Sequence, residues 1–404
     1  MSVVSRVRVG GPLAGCADGF AAWLAELGYT PLSAANQLRV LARLSRWLAA
    51  RELAPAGLDA VQVEAFLAGC RASGYTCWLS ARGLAPLLGY LRGLGVVPGP
   101  AREAPATAAE VLLGRYRAYL ARERGLAAST VGYYLAVARL FVGRAVGADL
   151  GGLAGLTAAG VSRFVAAECG RRSTGSAKIL VTALRSLLRF LFLDGLLATD
   201  LSAAVPAVAG WRGAGLPKAL PASHVAAVLA SCDQETAVGR RDFAVLVLLA
   251  RLGLRAGEVA ALELDDISWR AGEIMIRGKG RRQERMPLPA DAGQALAGYL
   301  RGGRPARTGS RAVFVKERAP AGPMSAEAVK EMVRRRCRRA GVPETGPHRL
   351  RHTAATQMLQ AGSPLAEVGQ VLRHRSTATT AIYAKVDHRS LRALALPWPQ
   401  GGLS

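Results

Sequence analysis

Two eleven-residue stretches a hundred positions apart constrain this chain most: Leu87–Val97 reads LLGYLRGLGVV and Leu187–Leu197 reads LLRFLFLDGLL. Apolar residues at three- and four-residue steps make each the buried face of an amphipathic helix, closed by Gly95 and Gly195. The match extends outward: Tyr116, Tyr119 and Leu120 answer Phe20, Trp23 and Leu24, and Phe164 answers Phe66. Similarity at this period predicts two copies of one helical domain, although any two four-helix bundles share some of this patterning. The first copy is expected over residues 16–97 after a loose start (1–15), the second over 110–198, with the Pro- and Ala-rich run 98–109 as linker. A second Pro/Gly-rich linker is expected over 199–217, a third domain over 218–390 and a tail over 391–404.

That third segment has a different pattern. The spacing predicts helices over Ala222–Ser231, Arg241–Leu252 and Ala256–Leu262. Three strand-like pieces follow, LDDISW, EIMIR and ERMPLP, joined by turns at Ala271-Gly272 and at GKGRRQ (Gly278–Gln283). Helices resume at Asp291–Arg301 and Ser325–Ala340, and Pro347 suits the first turn of another that Gly362 and Pro364 end. The fold class read from this pattern is mainly α with a small three-stranded antiparallel sheet: two helical N-terminal domains and an α+β domain.

Charge narrows the partner. With 53 Lys plus Arg against 28 Asp plus Glu, the net charge is +25, which favours a polyanion, nucleic acid first. Arginines stand between the apolar stripes of both helical copies, Arg39, Arg43, Arg46 and Arg51 in the first and Arg139, Arg144, Arg163, Arg171, Arg172, Arg185 and Arg189 in the second. A solvated face and phosphate contact explain them about equally. The six cysteines have neither zinc-site spacing nor disulfide-scaffold density. The N-terminus lacks the apolar core of a signal peptide, and the apolar stretch Phe243–Leu254 is too short to span a bilayer and is broken by Arg251. A soluble, cytoplasmic, nucleoid-associated protein with no membrane partner is expected.

Cleaving a phosphodiester without a metal needs a nucleophile, cations for the non-bridging oxygens and an acid for the leaving oxygen. Arginine suits the second role because its planar fork grips two phosphate oxygens at once. The stretch His348–Tyr383 offers an arginine, imidazoles and a tyrosine that can form a covalent phosphate ester, with His348 and Arg351 one helical turn apart. Each residue alone is unremarkable: His352 reads as a capping or packing residue, and the Gly-Lys-Gly turn has no Walker frame.

Order and spacing change that weighting. GLRAGEVAALELDDI (Gly253–Ile267), the GKG hairpin tip, HRLRHT (His348–Thr353) and LRHRSTATTAIY (Leu372–Tyr383) resemble the signature boxes of the tyrosine recombinase family, the phage integrase type. The resemblance spans about Pro217–Val386; Ala108–Ala198 more loosely resembles the family's core-binding domain. It implies a site-specific DNA recombinase acting through a 3′-phosphotyrosine without cofactor or metal. Arg255 and Arg351 would clamp the phosphate, Tyr383 would attack it and Lys279 would protonate the 5′ oxygen. His348 would assist the tyrosine's proton, His374 would donate to the phosphate and Glu258 would brace Arg255. One departure is visible: the family places glycine before the second histidine, and here Arg373 stands there.

The resemblance also implies double-stranded DNA as partner and a homotetramer on it, with accessory recombinases as further partners and a mobile element as the setting. Leu391, Leu394, Leu396 and Trp398 of the tail would pack on the chain's own domain or on a neighbouring subunit. Rival readings are a type IB topoisomerase-like enzyme that relaxes DNA, and a DNA-binding accessory protein with a vestigial site.

Overall fold

The computed structural model describes residues 7–75, 80–99, 107–209, 218–278, 282–305, 309–374 and 376–386. Lys279 and the four apolar tail residues named above lie outside them. The chain groups into two units, 99–214 and the remainder.

In the remainder, the N-terminal stripes form α1 (Ala17–Glu26), α2 (Pro31–Ala50), α3 (Ala60–Ala72) and α4 (Ala81–Gly93). Thr30, Asp59 and Ser80 cap the last three, each side chain accepting from a backbone N–H three residues on, so helix starts are written into the sequence. Phe20, Leu24, Leu41, Leu48, Leu87 and Leu91 are wholly buried between them.

The 99–214 unit repeats the plan with α5 (Ala108–Ala118), α6 (Ala128–Phe141), α7 (Ala158–Cys169) and α8 (Thr174–Leu193), α5 and α6 each running on into a π turn. The internal aromatic packing is the same in both bundles. Phe20–Trp23, Phe20–Tyr90 and Trp23–Tyr90 have ring centroids 6.0, 5.1 and 5.5 Å apart. Tyr116–Tyr119, Tyr116–Phe190 and Tyr119–Phe190 stand at 6.4, 5.1 and 5.2 Å. An edge-on pair accompanies each triad, Trp47–Phe66 in one and Phe141–Phe164 in the other.

The segment after residue 218 is built on α10 (Ala237–Arg251), whose residues Ala244–Ala250 are all buried. It starts earlier than the apolar spacing suggests, because Thr236 caps it through Gly239 N–H. Around it pack α9 (Ala222–Ala230), α11 (Ala256–Ala260), α12 (Ala290–Gly302), α13 (Ala326–Arg339) and α14 (Pro347–Gln360). Asp242 on α10 is fully buried and accepts from Arg241 and from Arg336 on α13, so one member of the RRRCRR run points inward.

Strands β1 (Ile267–Ser268), β2 (Glu273–Arg277) and β3 (Gln283–Pro287) form an antiparallel sheet in the order β1-β2-β3. Ile267 pairs Ile274 and Ile274 pairs Met286, so alternate residues meet the core. β1 is shorter than LDDISW promised. Asp266 bonds back to Glu263 N–H and pairs with Arg277, which curls Leu264–Asp266 into a 3-10 turn. Two short helices, α15 (Leu365–Val371) and α16 (Thr377–Thr380), and a 3-10 turn, Ala381–Val386, complete the chain described. No helix among the described residues is long and apolar enough to cross a membrane.

Candidate active site

Segments distant in sequence converge where α11, α14 and the α15–α16 turn meet. Arg255 sits at the N-cap of α11, and Glu258, three residues on, folds back to it: Oε2 accepts from Arg255 N–H at 2.9 Å and Oε1 from its guanidinium at 2.5 Å. Arg255 keeps its side chain 45% exposed while Glu258 is buried, so the carboxylate fixes a guanidinium that still faces outward. Burial pushes the Glu258 carboxyl up. The Arg255 backbone N–H, the Arg373 charge and the Arg255 guanidinium outweigh it and hold the group below the usual carboxylate range.

On α14, His348, Arg351 and His352 share one face. Arg351 is 1% exposed and donates to the carbonyls of Gly253, at 2.5 Å, and of Leu372. Gly253 has φ +58, and a Cβ there would come 2.6 Å from Leu372 Cδ2, so the backbone that brings that carbonyl to the arginine favours glycine. Burial and the neighbouring Arg255 charge lower Arg351 to about 10, still cationic at neutral pH. Thr353, the end of the HRLRHT box, accepts from Leu220 N–H at 2.8 Å and ties the segment's entry to α14.

Tyr383 is 2% exposed, and its Oη lies 2.8 Å from His352 Nδ1. Burial pushes the phenol up, against the pull of the Arg351 and Arg255 charges. Burial, with the charges of His348 and Arg351, lowers His352 to about 4. The imidazole is therefore neutral, and with its proton on Nε2 it accepts the phenolic hydrogen. His348 stands behind, edge-on to His352 with centroids 4.5 Å apart. It remains exposed, and partial burial and the charges of Arg351 and Arg255 lower it too. Sequence reasoning assigned the tyrosine's proton to His348 and packing to His352; the structure places His352 within bonding reach of the hydroxyl. The one available signal was a second imidazole one turn along the same helix face as His348, without sight of its partner thirty-one residues away.

His374 lies parallel to Tyr383, with ring centroids 6.2 Å apart, and its Nδ1 is 2.8 Å from Thr380 Oγ1. Burial first, then the Arg351 and Arg255 charges, bring it to about 4. Before it, Arg373 has φ +55, a left-handed conformation that costs a non-glycine residue roughly 1–3 kcal/mol. A cavity of about 790 Å³ opens beside these groups, lined by Arg255, Glu258, Arg373 and His374 on one side and by Gly278 and Arg282 of the β2–β3 hairpin on another. Gly278 N–H closes the hairpin onto Arg282 C=O at 2.8 Å, and Lys279 follows Gly278 in sequence, outside the described residues. Among the described residues no group of three or more metal-ligating side chains is present.

Two guanidinium groups from separate elements, three neutral imidazoles and a buried phenol make a site suited to a single phosphate and a covalent ester. Residues 218–389 match the phage integrase family. An integrase/recombinase of Sinorhizobium fredii, y4rA, is 40% identical over 96% of this chain and 95% of its own length. The tyrosine recombinase XerD of Corynebacterium glutamicum is 32% identical over 70% of this chain and 96% of its own. In fold, the chain is like the XerH site-specific recombinase in a post-cleavage complex on a palindromic difH substrate, with a TM-score of 0.55, 20% identity and coverage of 74% of this chain and 98% of that one. The chain belongs to the phage integrase family, the tyrosine recombinases. Its activity is site-specific DNA recombination, by cleaving and joining strands.

Proposed function

We propose that Tyr383 is the nucleophile of this recombinase and that the enzyme serves a mobile element. Oη attacks phosphorus, the bond from phosphorus to the 5′ oxygen breaks, and the products are a 3′-phosphotyrosine and a 5′-hydroxyl. Arg255 and Arg351 neutralise the non-bridging oxygens as charge builds on them. The phenolic proton passes to the imidazoles of α14, His352 being in contact and His348 next to it, while His374 donates to the phosphate. Lys279 protonates the departing 5′ oxygen, with no metal or nucleotide required. Reversal with a second 5′-hydroxyl rejoins the strand, because the ester conserves the bond energy. Exchange between two duplexes cuts four strands, and one tyrosine per chain then calls for four chains, a homotetramer on double-stranded DNA.

The observation that carries this reading is the convergence around Tyr383: His374 lies parallel to its ring, the Arg351 and Arg255 charges both act on its phenol, and a neutral imidazole meets its hydroxyl. We also read the two N-terminal bundles as duplicates that both lie on DNA. The near-identical aromatic triads support the duplication, and the net charge of +25 supports the partner.

A nicked duplex that loses its short 5′-hydroxyl strand after cleavage traps the covalent product. A library of such duplexes, randomised around the nick, should yield protein-linked DNA with the intact chain and none with Tyr383→Phe. An adduct that persists in that variant refutes the nucleophile assignment.

A further inference from the structure

The residue that breaks the family's pattern also has the least ordinary environment in the site. Arg373 occupies a glycine-type backbone conformation, φ +55, yet turns its side chain inward until it is 6% exposed. One terminal nitrogen donates to Glu258 Oε2 at 2.9 Å; the other meets Met286 Sδ of β3 at 3.0 Å and the Val371 carbonyl at 2.9 Å. This one side chain joins α11, the sheet and the turn that carries His374, and it borders the same cavity as Arg255.

The charges explain such a strut. Glu258 is needed to fix Arg255, but its negative charge cancels one guanidinium at the place where phosphate must bind. With the three imidazoles neutral, Arg255 and Arg351 against Glu258 leave a single net positive charge among these three groups, to which the hairpin's exposed Arg282 and Glu284 add nothing net. A phosphodiester gains a second negative charge as the nucleophile adds. Resting on the reading of the site given above, we propose that Arg373 is a positioning residue of the cleavage reaction. It neutralises Glu258 from the protein side, so that Arg255 and Arg351 both present their charge to the phosphate, and it holds the His374 turn against the hairpin.

The test uses the full-length chain and a duplex recovered by covalent capture from the randomised nicked library, resynthesised as a single probe. Arg373→Gly suits the local backbone, so its fold should hold, as thermal melting will check; Arg373→Met keeps bulk without charge, and Arg373→Lys keeps charge without the fork. The Arg373 side chain is 6% exposed and committed to Glu258, Met286 and the Val371 carbonyl, so affinity for the probe and its salt dependence should stay within about twofold in all three. Single-turnover cleavage should slow by about 10- to 100-fold in the Gly and Met variants, as expected for a lost charge-assisted bond, and recover in part with Lys.

The acid limb of the cleavage profile should also move to higher pH, because Glu258 loses one of its two cations. Arg255 and Arg373 are the cations bonded to that carboxylate, and Arg282, Glu284 and His374 share its cavity. A residue that only braced the fold would lower the melting temperature without moving that limb. A folded Gly variant that cleaves at the wild-type rate with an unmoved profile overturns the proposal. So does a fall in affinity with a shallower salt slope, which would make Arg373 a direct phosphate contact. Absence of any adduct with the unmodified chain would instead remove the reading of Tyr383, and this proposal with it.

Discussion

Replacing His352 with phenylalanine isolates the contact that sequence reasoning missed. The ring shape is kept and the acceptor is removed, leaving the hydroxyl of a tyrosine that is 2% exposed without its described partner. A buried hydroxyl in that position costs about 1–3 kcal/mol. Where the bond also aims Oη, the loss appears as an approximately 10- to 100-fold slower cleavage step. Single-turnover formation of the phosphotyrosine on a nicked duplex, followed by gel mobility, measures it. DNA affinity is a separate readout and should not change. The pH profile adds a second check. Because His352 sits near 4 when folded, the wild-type rate should show no loss between pH 8 and 6 from this imidazole charging. A variant as fast as wild type, or a wild-type limb near 6.5 that vanishes in the variant, would refute the argument.

Other outcomes follow from the same geometry. Asp242→Ala strands the buried guanidiniums of Arg241 and Arg336 and should lower stability by about 3–5 kcal/mol in denaturant unfolding; a loss under 1 kcal/mol, measured against the roughly 0–1 kcal/mol of a surface pair, would show that those charges find other partners. His352 and His374 are both held near 4, against 6.5 for an ordinary imidazole, so the unfolded chain binds more protons in that window. Their contribution should be complete above pH 6.5 and drain away as pH falls through 4. Melting temperatures at pH 7, 5.5 and 4.5 should therefore decline, and decline less when both residues are replaced by uncharged ones.

Helix boundaries were largely legible, because the information is local: Thr30, Asp59, Ser80, Thr236 and Ser325 each cap a helix through a bond only three residues long. β1 was overread since the Asp266 carboxylate, not strand propensity, sets where that strand begins. At the site, the residue types of Arg255, Glu258, His348, Arg351, His374 and Tyr383 and the one-turn spacings within each box were readable. Spacing says nothing about what a side chain meets across the fold.

The sequence by itself determined the chemistry available here: arginines for phosphate, imidazoles, one tyrosine at the end of a spaced set, and the apolar periods that wind the helices. Tertiary structure alone decided the allegiances. Packing α14 against the final 3-10 turn gave Tyr383 to His352, and burial then kept that imidazole neutral. The fold of α11 against the α15–α16 turn drew Arg373 inward to Glu258, where a surface arginine would have been the default. Periodicity and capping act over a turn of helix, whereas desolvation and ion pairing depend on which distant segments exclude water together. That is why the tyrosine's hydrogen-bond partner and the carboxylate that Arg373 meets came into view only when the chain was folded.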